Sequence, residues 1–104
     1  MSANNDLEKW FERYKAVVKE AGDIAYKKQC DYGWENIGSL GVKGLIPRIV
    51  DKVARLKNLI WEKNLNDMKV SEESIEDTAT DLANYALFMV MVMRNTWYPE
   101  KLKK

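Results

Sequence analysis

The sequence predicts an all-α protein of three long helices, with a glycine-rich loop between helices one and two. Apolar residues recur in steps of three and four over most of the chain, which is the helical period. Four of the five glycines fall between residues 30 and 44, where this period stops. Because 104 residues suit one domain, we expect residues 1–104 to form a single helical domain.

The composition limits the possible functions and locations. Hydrophobic residues make up 46% and charged residues 32% of the chain, as in globular proteins. A net charge of +1 provides no basic field, so we expect no nucleic-acid or membrane partner. The single cysteine, Cys30, excludes an internal disulfide and fits a reducing compartment. The N-terminus lacks a signal-peptide core, and the longest apolar run, 85–93, falls short of the about 20 residues that span a bilayer. We therefore expect a cytoplasmic protein.

Helix one is predicted from about Asp6 to Gln29, with Asn5 or Asp6 as its N-cap. The apolar residues form one continuous stripe, which consists of Leu7, Trp10, Phe11, Tyr14, Val17, Val18, Ala21, Ile24 and Ala25. The face opposite this stripe is charged and is expected to be solvated.

The glycine-rich segment 30–44 contains side chains that are unusual in a simple connection, namely Tyr32, Trp34, Asn36 and Lys43. Glycine allows a ligand to approach the main chain closely, and long loops in small domains are often functional. Tyr32 and Trp34 could stack on a nucleobase, at about 1–3 kcal/mol per base. They could equally cover the end of the core.

Helix two is predicted from Ile46 to Lys63, with Pro47 in its first turn. Its apolar stripe consists of Ile46, Ile49, Val50, Val53, Leu56 and Ile60. A second face carries Arg48, Asp51, Lys52 and Arg55, with Lys43 just before it. Arginine and lysine bind carboxylates or phosphates, so this face could pair with helix three, bind a phosphate, or simply be solvated.

Helix three is predicted to start at the N-cap Ser71, after a turn at residues 64–70, with acidic residues in its first turns. Its predicted core stripe is Ile75, Ala79, Leu82, Ala86, Met89, Val90 and Met93. Every residue from 86 to 93 is apolar, and three helices cannot easily cover such a segment on all sides. The pattern therefore predicts a homo-oligomeric helical bundle. The tail after helix three is expected to dock Trp97 and Tyr98.

Asp77 and Asp81 lie one turn apart on helix three, with Asn84 on the adjoining edge. Two carboxylates at this spacing repel each other unless a positive group lies between them. A divalent cation or the basic side chains of helix two could provide that charge. Alternatively, Asp77 is only an acidic residue of the first turns, favoured by the helix dipole, and Asp81 alone is special.

Several kinds of catalytic site are missing from the sequence. The chain has no histidine, which removes the commonest general base and any histidine-based zinc site. A lone cysteine without a histidine partner is a poor nucleophile. The glycine spacing fits neither a Walker motif nor a dinucleotide-binding motif.

Two segments carry a resemblance to a known family. KKQCDYGWENIGSLGVKGLIPRIVDKVARLKNLI and ESIEDTATDLANYALFMVMV together resemble the nucleotide modification associated domain type 1 family of bacteriophage and bacterial genomes, over residues 27–93. The resemblance implies an association with nucleotide metabolism, and a host-cell cytoplasm if the chain is phage-encoded. It rests on the DYG at 31–33, on Asn36 and Gly38, on Arg48, Asp51, Lys52 and Arg55, and on Glu73, Asp77, Asp81, Asn84 and Tyr85.

The architecture is also similar to that of the MazG-like all-helical nucleotide pyrophosphohydrolases. These enzymes hold magnesium between acidic clusters on facing helices, and Asp77 and Asp81 match the second cluster. Helix two offers only Asp51 for the first cluster, with Lys52 and Arg55 beside it. Metal-assisted hydrolysis requires several carboxylates, so this departure favours binding over turnover.

The leading hypothesis is thus a small nucleotide-binding protein without a cofactor, which in a phage could sequester a cyclic nucleotide immune signal. Its expected ligand-binding residues are Tyr32, Trp34, Asn36, Lys43, Arg48, Lys52, Arg55, Asp81 and Asn84. An alternative is a magnesium-dependent nucleotide pyrophosphohydrolase with Asp77 and Asp81 as metal ligands. A second alternative is a protein-interaction module that uses the surface of residues 86–93.

Overall fold

The computed structural model describes residues 2–62 and 68–103, and within these ranges the chain is helical without strands. Three of its four α-helices are long, which confirms the all-α class. The helices are α1 (Ser2–Tyr32), α2 (Glu35–Gly38), α3 (Gly41–Lys57) and α4 (Met68–Met93), with a π-helical turn at Asn58–Glu62 and a 3-10 turn at Glu100–Leu102.

The glycine-rich segment is more helical than the sequence predicts. It contains the whole of α2 and the start of α3, so only residues 33–34 and 39–40 separate helices there. Gly33 and Gly41 have φ values of 76° and 64°, a left-handed conformation that glycine adopts without steric cost. These two residues therefore turn the chain at either side of α2.

The long helices also begin earlier than their predicted caps. Pro47 lies inside α3, and Ser71 lies inside α4 rather than at its N-cap. Asn5 and Asp6 likewise follow the start of α1. A capping preference is worth only about 1 kcal/mol, so neighbouring residues without a helix breaker can extend a helix past it. The predicted end of helix two and residues 64–67 of the predicted turn lie outside the described residues.

The core lies where α2, α3 and the C-terminal half of α4 meet. Leu45 is fully buried, and Ile37 and Trp97 pack with it. The indole Nε1 of Trp97 donates a hydrogen bond to the carbonyl of Trp34 at 2.9 Å. The predicted docking of the tail is thereby confirmed. The half-buried residues around this core are Leu40, Tyr85, Phe88, Met89, Val92 and Tyr98.

The end of α4 explains how the tail reaches the core. Asn95 has a φ of 57°, and the N–H of Thr96 donates to the carbonyl of Met91 at 2.8 Å. A residue in the left-handed conformation, together with this hydrogen bond, terminates a helix and reverses the direction of the chain. The reversal directs Trp97 back towards α2.

Much of the apolar surface predicted for the core is exposed in one chain. All residues from 4 to 20 of α1 are exposed, and Ala21 alone of its nine-residue stripe is buried. On α3, Ile46, Val50, Val53 and Ile60 are exposed. The core stripe predicted for helix three was wrong at Ala79, Ala86, Val90 and Met93, which are exposed. The helical period was predicted correctly, but one chain does not cover the stripes.

The shape of the chain agrees with this exposure. Its radius of gyration is 16.8 Å, whereas a compact domain of this length has about 13 Å. Its extents are 47 × 43 × 23 Å, so the molecule is flat. Within the described helices, none is long and apolar enough to cross a membrane.

Candidate functional site at the junction of α1, α3 and α4

Asp81 connects three helices through its two carboxylate oxygens. Lys28 of α1 donates to Oδ1 at 2.9 Å, and Lys52 of α3 donates to Oδ2 at 3.0 Å. We call these three residues the Asp81 junction. Of the three roles that the sequence leaves open for the basic face of α3, pairing with α4 thus occurs, and it occurs within one chain.

The Asp81 junction shifts the pKa values of its members. Burial disfavours the charged carboxylate of Asp81, but hydrogen bonds from Lys28 and Lys52 outweigh it and leave its pKa below the ordinary value of 3.8. The hydrogen bond to Asp81 raises the pKa of Lys28 above 10.5, against the opposing effect of partial burial. Asp81 and Lys28 are therefore both charged near neutral pH.

Beside the Asp81 junction, α1, α2 and α4 enclose a pocket of about 60 Å³, the first pocket. Its wall is mainly apolar and aromatic, with a few amide and charged groups. Ligand sites have this composition, since apolar walls provide contact area and a few polar groups set orientation. The first pocket is lined by Ala25, Lys28, Gln29, Tyr32, Asn36, Ile37, Asp81, Asn84, Tyr85 and Phe88.

Gln29 brings an unpaired hydrogen-bond donor to the first pocket. Its side-chain nitrogen Nε2 is buried and has no partner among the described residues. More than nine in ten buried polar groups are hydrogen-bonded, and an unpaired one costs about 1–3 kcal/mol. Because Gln29 lines the first pocket, its amide is a candidate partner for an acceptor atom that enters there.

A second, more open cavity of about 340 Å³ lies on the other side of the Asp81 junction. Lys28 and Asp81 line both spaces, so this ion pair forms the wall between them. The second cavity is lined by Ile24, Lys28, Asp77, Thr80 and Asp81.

Two further contacts hold the helices around the site. Asn84 is buried, and its Nδ2 donates to the carbonyl of Ala21 at 3.0 Å, which fixes α1 against α4. Arg55 Nε donates to Oγ1 of the buried Thr78 at 3.1 Å, which fixes α3 against α4. The backbone positions of the Asp81 junction therefore depend on a small polar network.

The residues predicted for ligand binding fall into three groups. Tyr32, Asn36, Asp81 and Asn84 line the first pocket. Lys52 and Arg55 contact α4 beside it, and Asp77 lines the second cavity. The structure does not bring Trp34, Lys43 and Arg48 into either space: these side chains are exposed, and Trp34 contributes its backbone carbonyl to the docking of Trp97.

Sequence reasoning missed Lys28 and Gln29. Both continue the apolar stripe of α1, three and four residues after Ala25. A polar residue at a position where the pattern requires an apolar one was the signal that could have identified them. Instead, they were read as the end of the helix.

The carboxylates of the site lie beside ammonium groups. In the described part of the chain, no group of three or more acidic or cysteine side chains could share a metal ion. Both oxygens of Asp81 already accept hydrogen bonds from ammonium groups. The site thus provides positively and negatively charged groups side by side, and not a set of oxygen ligands arranged around one ion.

In comparisons with known protein families, characterised proteins and solved structures, none matches this chain. The resemblance to the nucleotide modification associated domain type 1 family thus stays a hypothesis that rests on the sequence segments themselves.

Proposed function

We propose that this protein binds a phosphorylated nucleotide and holds it without transforming it. The observation that carries the proposal is the unpaired Nε2 of Gln29, buried in the wall of a mainly apolar pocket that Tyr32 and Asn36 also line. A buried donor beside an aromatic ring and a second amide is a combination suited to the edge and face of a base.

The dimensions of the first pocket indicate how the base would lie. About 60 Å³ is too small for a whole nucleotide, since pockets that enclose such ligands measure about 300–1,000 Å³. The pocket can take one edge of a base, within reach of Gln29 and Asn36. Tyr32 is 62% exposed, so its ring is free to stack on the part of the base that remains outside.

Phosphate binding would fall to the ammonium groups of the Asp81 junction. Lys28 and Lys52 carry two positive charges against the single negative charge of Asp81. Because Lys28 also lines the second cavity, a phosphate there would lie next to its ammonium group. Asp77 and Asp81 in the same cavity would repel a triphosphate strongly. With Asp77 included, the four groups carry no net charge, so a phosphodiester, which carries one negative charge per phosphate, would be repelled less than a triphosphate.

Cyclic dinucleotides and relatives of cyclic ADP-ribose combine bases with few phosphate charges, so they fit these requirements. In a phage, a homo-oligomeric protein of this kind would remove such an immune signal from the host cytoplasm and so act against defence. This biological role rests on the family resemblance together with the small size of the chain.

The alternative is a magnesium-dependent nucleotide pyrophosphohydrolase, which the placement of Asp77 and Asp81 in one cavity favours. For that reaction, Asp81 would have to exchange two ammonium partners for a metal ion. The ion pairs at 2.9 and 3.0 Å support the binding proposal over this alternative.

The test is incubation of the protein with a panel of nucleotides and cyclic nucleotide signals, with and without magnesium. The protein is then removed by filtration, heated, and its released small molecules are separated by chromatography. Depletion from the filtrate followed by intact release supports the proposal. A smaller product that forms only with magnesium supports the enzyme, and no depletion of any compound refutes nucleotide binding.

A further inference from the structure

The first part of α1 forms an apolar surface that nothing in the described chain covers. Every residue from 4 to 20 is exposed, and we call this segment the α1 arm. Trp10 and Tyr14 stack on each other at 5.5 Å, yet they remain 51% and 52% exposed. A helix of this length is marginal by itself in water, so its stability requires packing against another element. The large exposed apolar residues of the arm are Leu7, Trp10, Phe11, Tyr14, Val17 and Val18.

The area of exposed surface indicates the size of the missing contact. The accessible surface is 8378 Å², whereas a compact monomer of 12.1 kDa has about 6,000 Å². The excess of roughly 2,400 Å² matches the share of one partner in a permanent interface, where the two partners together bury about 2,000–5,000 Å². The surplus is thus large enough for a stable dimer.

The apolar positions of α1 follow a seven-residue repeat. Leu7, Tyr14 and Ala21 occupy one position of this repeat, and Trp10, Val17 and Ile24 occupy a second. A third apolar position beside them holds Phe11, Val18 and Ala25. A repeat with three apolar positions in seven is the pattern of a helix that packs in a bundle.

The charges that border this stripe alternate in sign. Asp6, Arg13, Glu20 and Lys27 are seven residues apart and exposed, and none forms an ion pair within the described ranges. In an antiparallel pair of identical helices, residues at this position of the repeat face each other. Arg13 then lies opposite the partner's Glu20, and Asp6 lies opposite the partner's Lys27.

We propose that a second copy of this chain packs its α1 antiparallel against α1, with Arg13 opposite the partner's Glu20. Apolar side chains also meet in this register. Leu7 meets the partner's Ile24 and Tyr14 meets the partner's Val17, and all four side chains are exposed in one chain. In a parallel pair, by contrast, Arg13 would face the partner's Val18, so charges would lie against apolar side chains.

The same register brings the second copy to the candidate site. Ile24 lines the second cavity and is 41% exposed. The partner's Leu7 covers Ile24, and so the start of the partner's α1 supplies a wall that one chain lacks. The dimer thus closes the second cavity, although its formation does not depend on nucleotide binding.

The experiment is sedimentation equilibrium of the full chain without nucleotide. The wild type is expected to dimerise, and Arg13→Glu or Glu20→Arg alone to weaken association roughly tenfold, since each reversal turns two symmetric attractions into repulsions. The double variant Arg13→Glu/Glu20→Arg restores the opposite pairing and is expected to recover wild-type association. Lys9→Glu, an equal charge change outside the stripe, is the matched control and should have no effect.

Val17→Asp places a charge at the centre of the stripe and is expected to yield a monomer. Its far-UV circular dichroism should then show the α1 arm losing helix, while a cooperative urea unfolding transition shows that the tail core stays folded. A wild type that sediments as a monomer with full helicity overturns the proposal. A dimer that neither Arg13→Glu nor Glu20→Arg weakens overturns it as well, because the antiparallel register would then be wrong.

Discussion

The ammonium group of Lys28 lies 2.9 Å from Oδ1 of Asp81, and this contact joins the first long helix to the last. Lys52 binds the other oxygen of the same carboxylate, so α3 is tied to the same point. One carboxylate therefore fixes the relative positions of all three long helices. It also forms the boundary between the two spaces that make up the candidate site.

Substitution of this carboxylate should destabilise the protein. Asp81→Asn leaves the exposed ammonium group of Lys28 and the partly buried one of Lys52 without a counter-charge, and we expect the free energy of unfolding to fall by about 1 kcal/mol. Asp77→Asn is the matched control, because Asp77 is exposed; its effect should stay within about 0.5 kcal/mol. Urea denaturation of both variants measures the difference. Equal losses would mean that the ion pairs do not contribute to stability.

The same carboxylate should make the free energy of unfolding depend on pH in the acidic range. Because the pKa of Asp81 is lowered in the folded chain, its stabilisation is present above the ordinary value of 3.8 and is lost as pH falls through the lower, folded value. The gap in unfolding free energy between the wild type and Asp81→Asn should therefore narrow from about pH 5 towards about pH 2. Urea titrations along this range test the sign. A gap that stays constant, or widens in acid, contradicts the assignment.

Gln29 should show opposite effects on stability and on binding. Gln29→Met keeps an unbranched side chain of similar length but removes the buried, unpaired Nε2, so the free chain should become more stable by about 1 kcal/mol. Nucleotide binding should weaken at the same time, because the pocket loses its donor. Thermal unfolding and a ligand titration of the same sample measure the two effects. Loss of stability in this variant would show that the amide is satisfied in solution, by water for example.

Two glycines provide a matched test of the docked tail. A methyl group on Gly38 would overlap the ring of Tyr98, so Gly38→Ala should destabilise the protein by about 1–3 kcal/mol. Nothing lies within 4 Å of the corresponding position at Gly22, inside α1, so Gly22→Ala should stabilise it by about 0.5–1 kcal/mol. If the overlap is the cause, Gly38→Ala should cost much less in a Tyr98→Ala background. Urea unfolding measures the stability of Gly38→Ala, Gly22→Ala, Tyr98→Ala and the double variant Gly38→Ala/Tyr98→Ala. If Gly38→Ala costs the same with and without the Tyr98 ring, the overlap is not the cause.

Helical periodicity predicted the fold class because it depends only on local spacing. The stripe of α1 is regular enough to place the helix, and the apolar residues 97 and 98 were enough to indicate a docked tail. The ends of the helices were less predictable, because a capping residue such as Ser71 has only a weak preference for the helix end and the helix can continue past it. The cluster of glycines wrongly predicted one long loop. Gly38 and Gly44 lie within helices, and only Gly33 and Gly41 make turns.

The candidate site was only partly predictable, since it depends on which helices meet. Asp81 stood out through its spacing from Asp77, and Lys52 through its charged face. Lys28 and Gln29 depart from the apolar stripe of α1, and this departure marks them in the sequence. Their place at the pocket, next to α4, depends on tertiary packing. Lys43 and Arg48 carry the same charge as Lys28 and Lys52 but line neither space.

The most direct test of nucleotide binding compares two tyrosines of α1 in one calorimetric titration. The ligand is whichever compound the filtration panel depletes; the proteins are the wild type, Tyr32→Ala and Tyr26→Ala. Tyr26 lies on the same helix, is 73% exposed and lines neither space, so its loss should leave the affinity unchanged. Loss of the Tyr32 ring should weaken binding by about 1–3 kcal/mol, roughly five- to 150-fold. Equal affinities for all three proteins would contradict the proposed site.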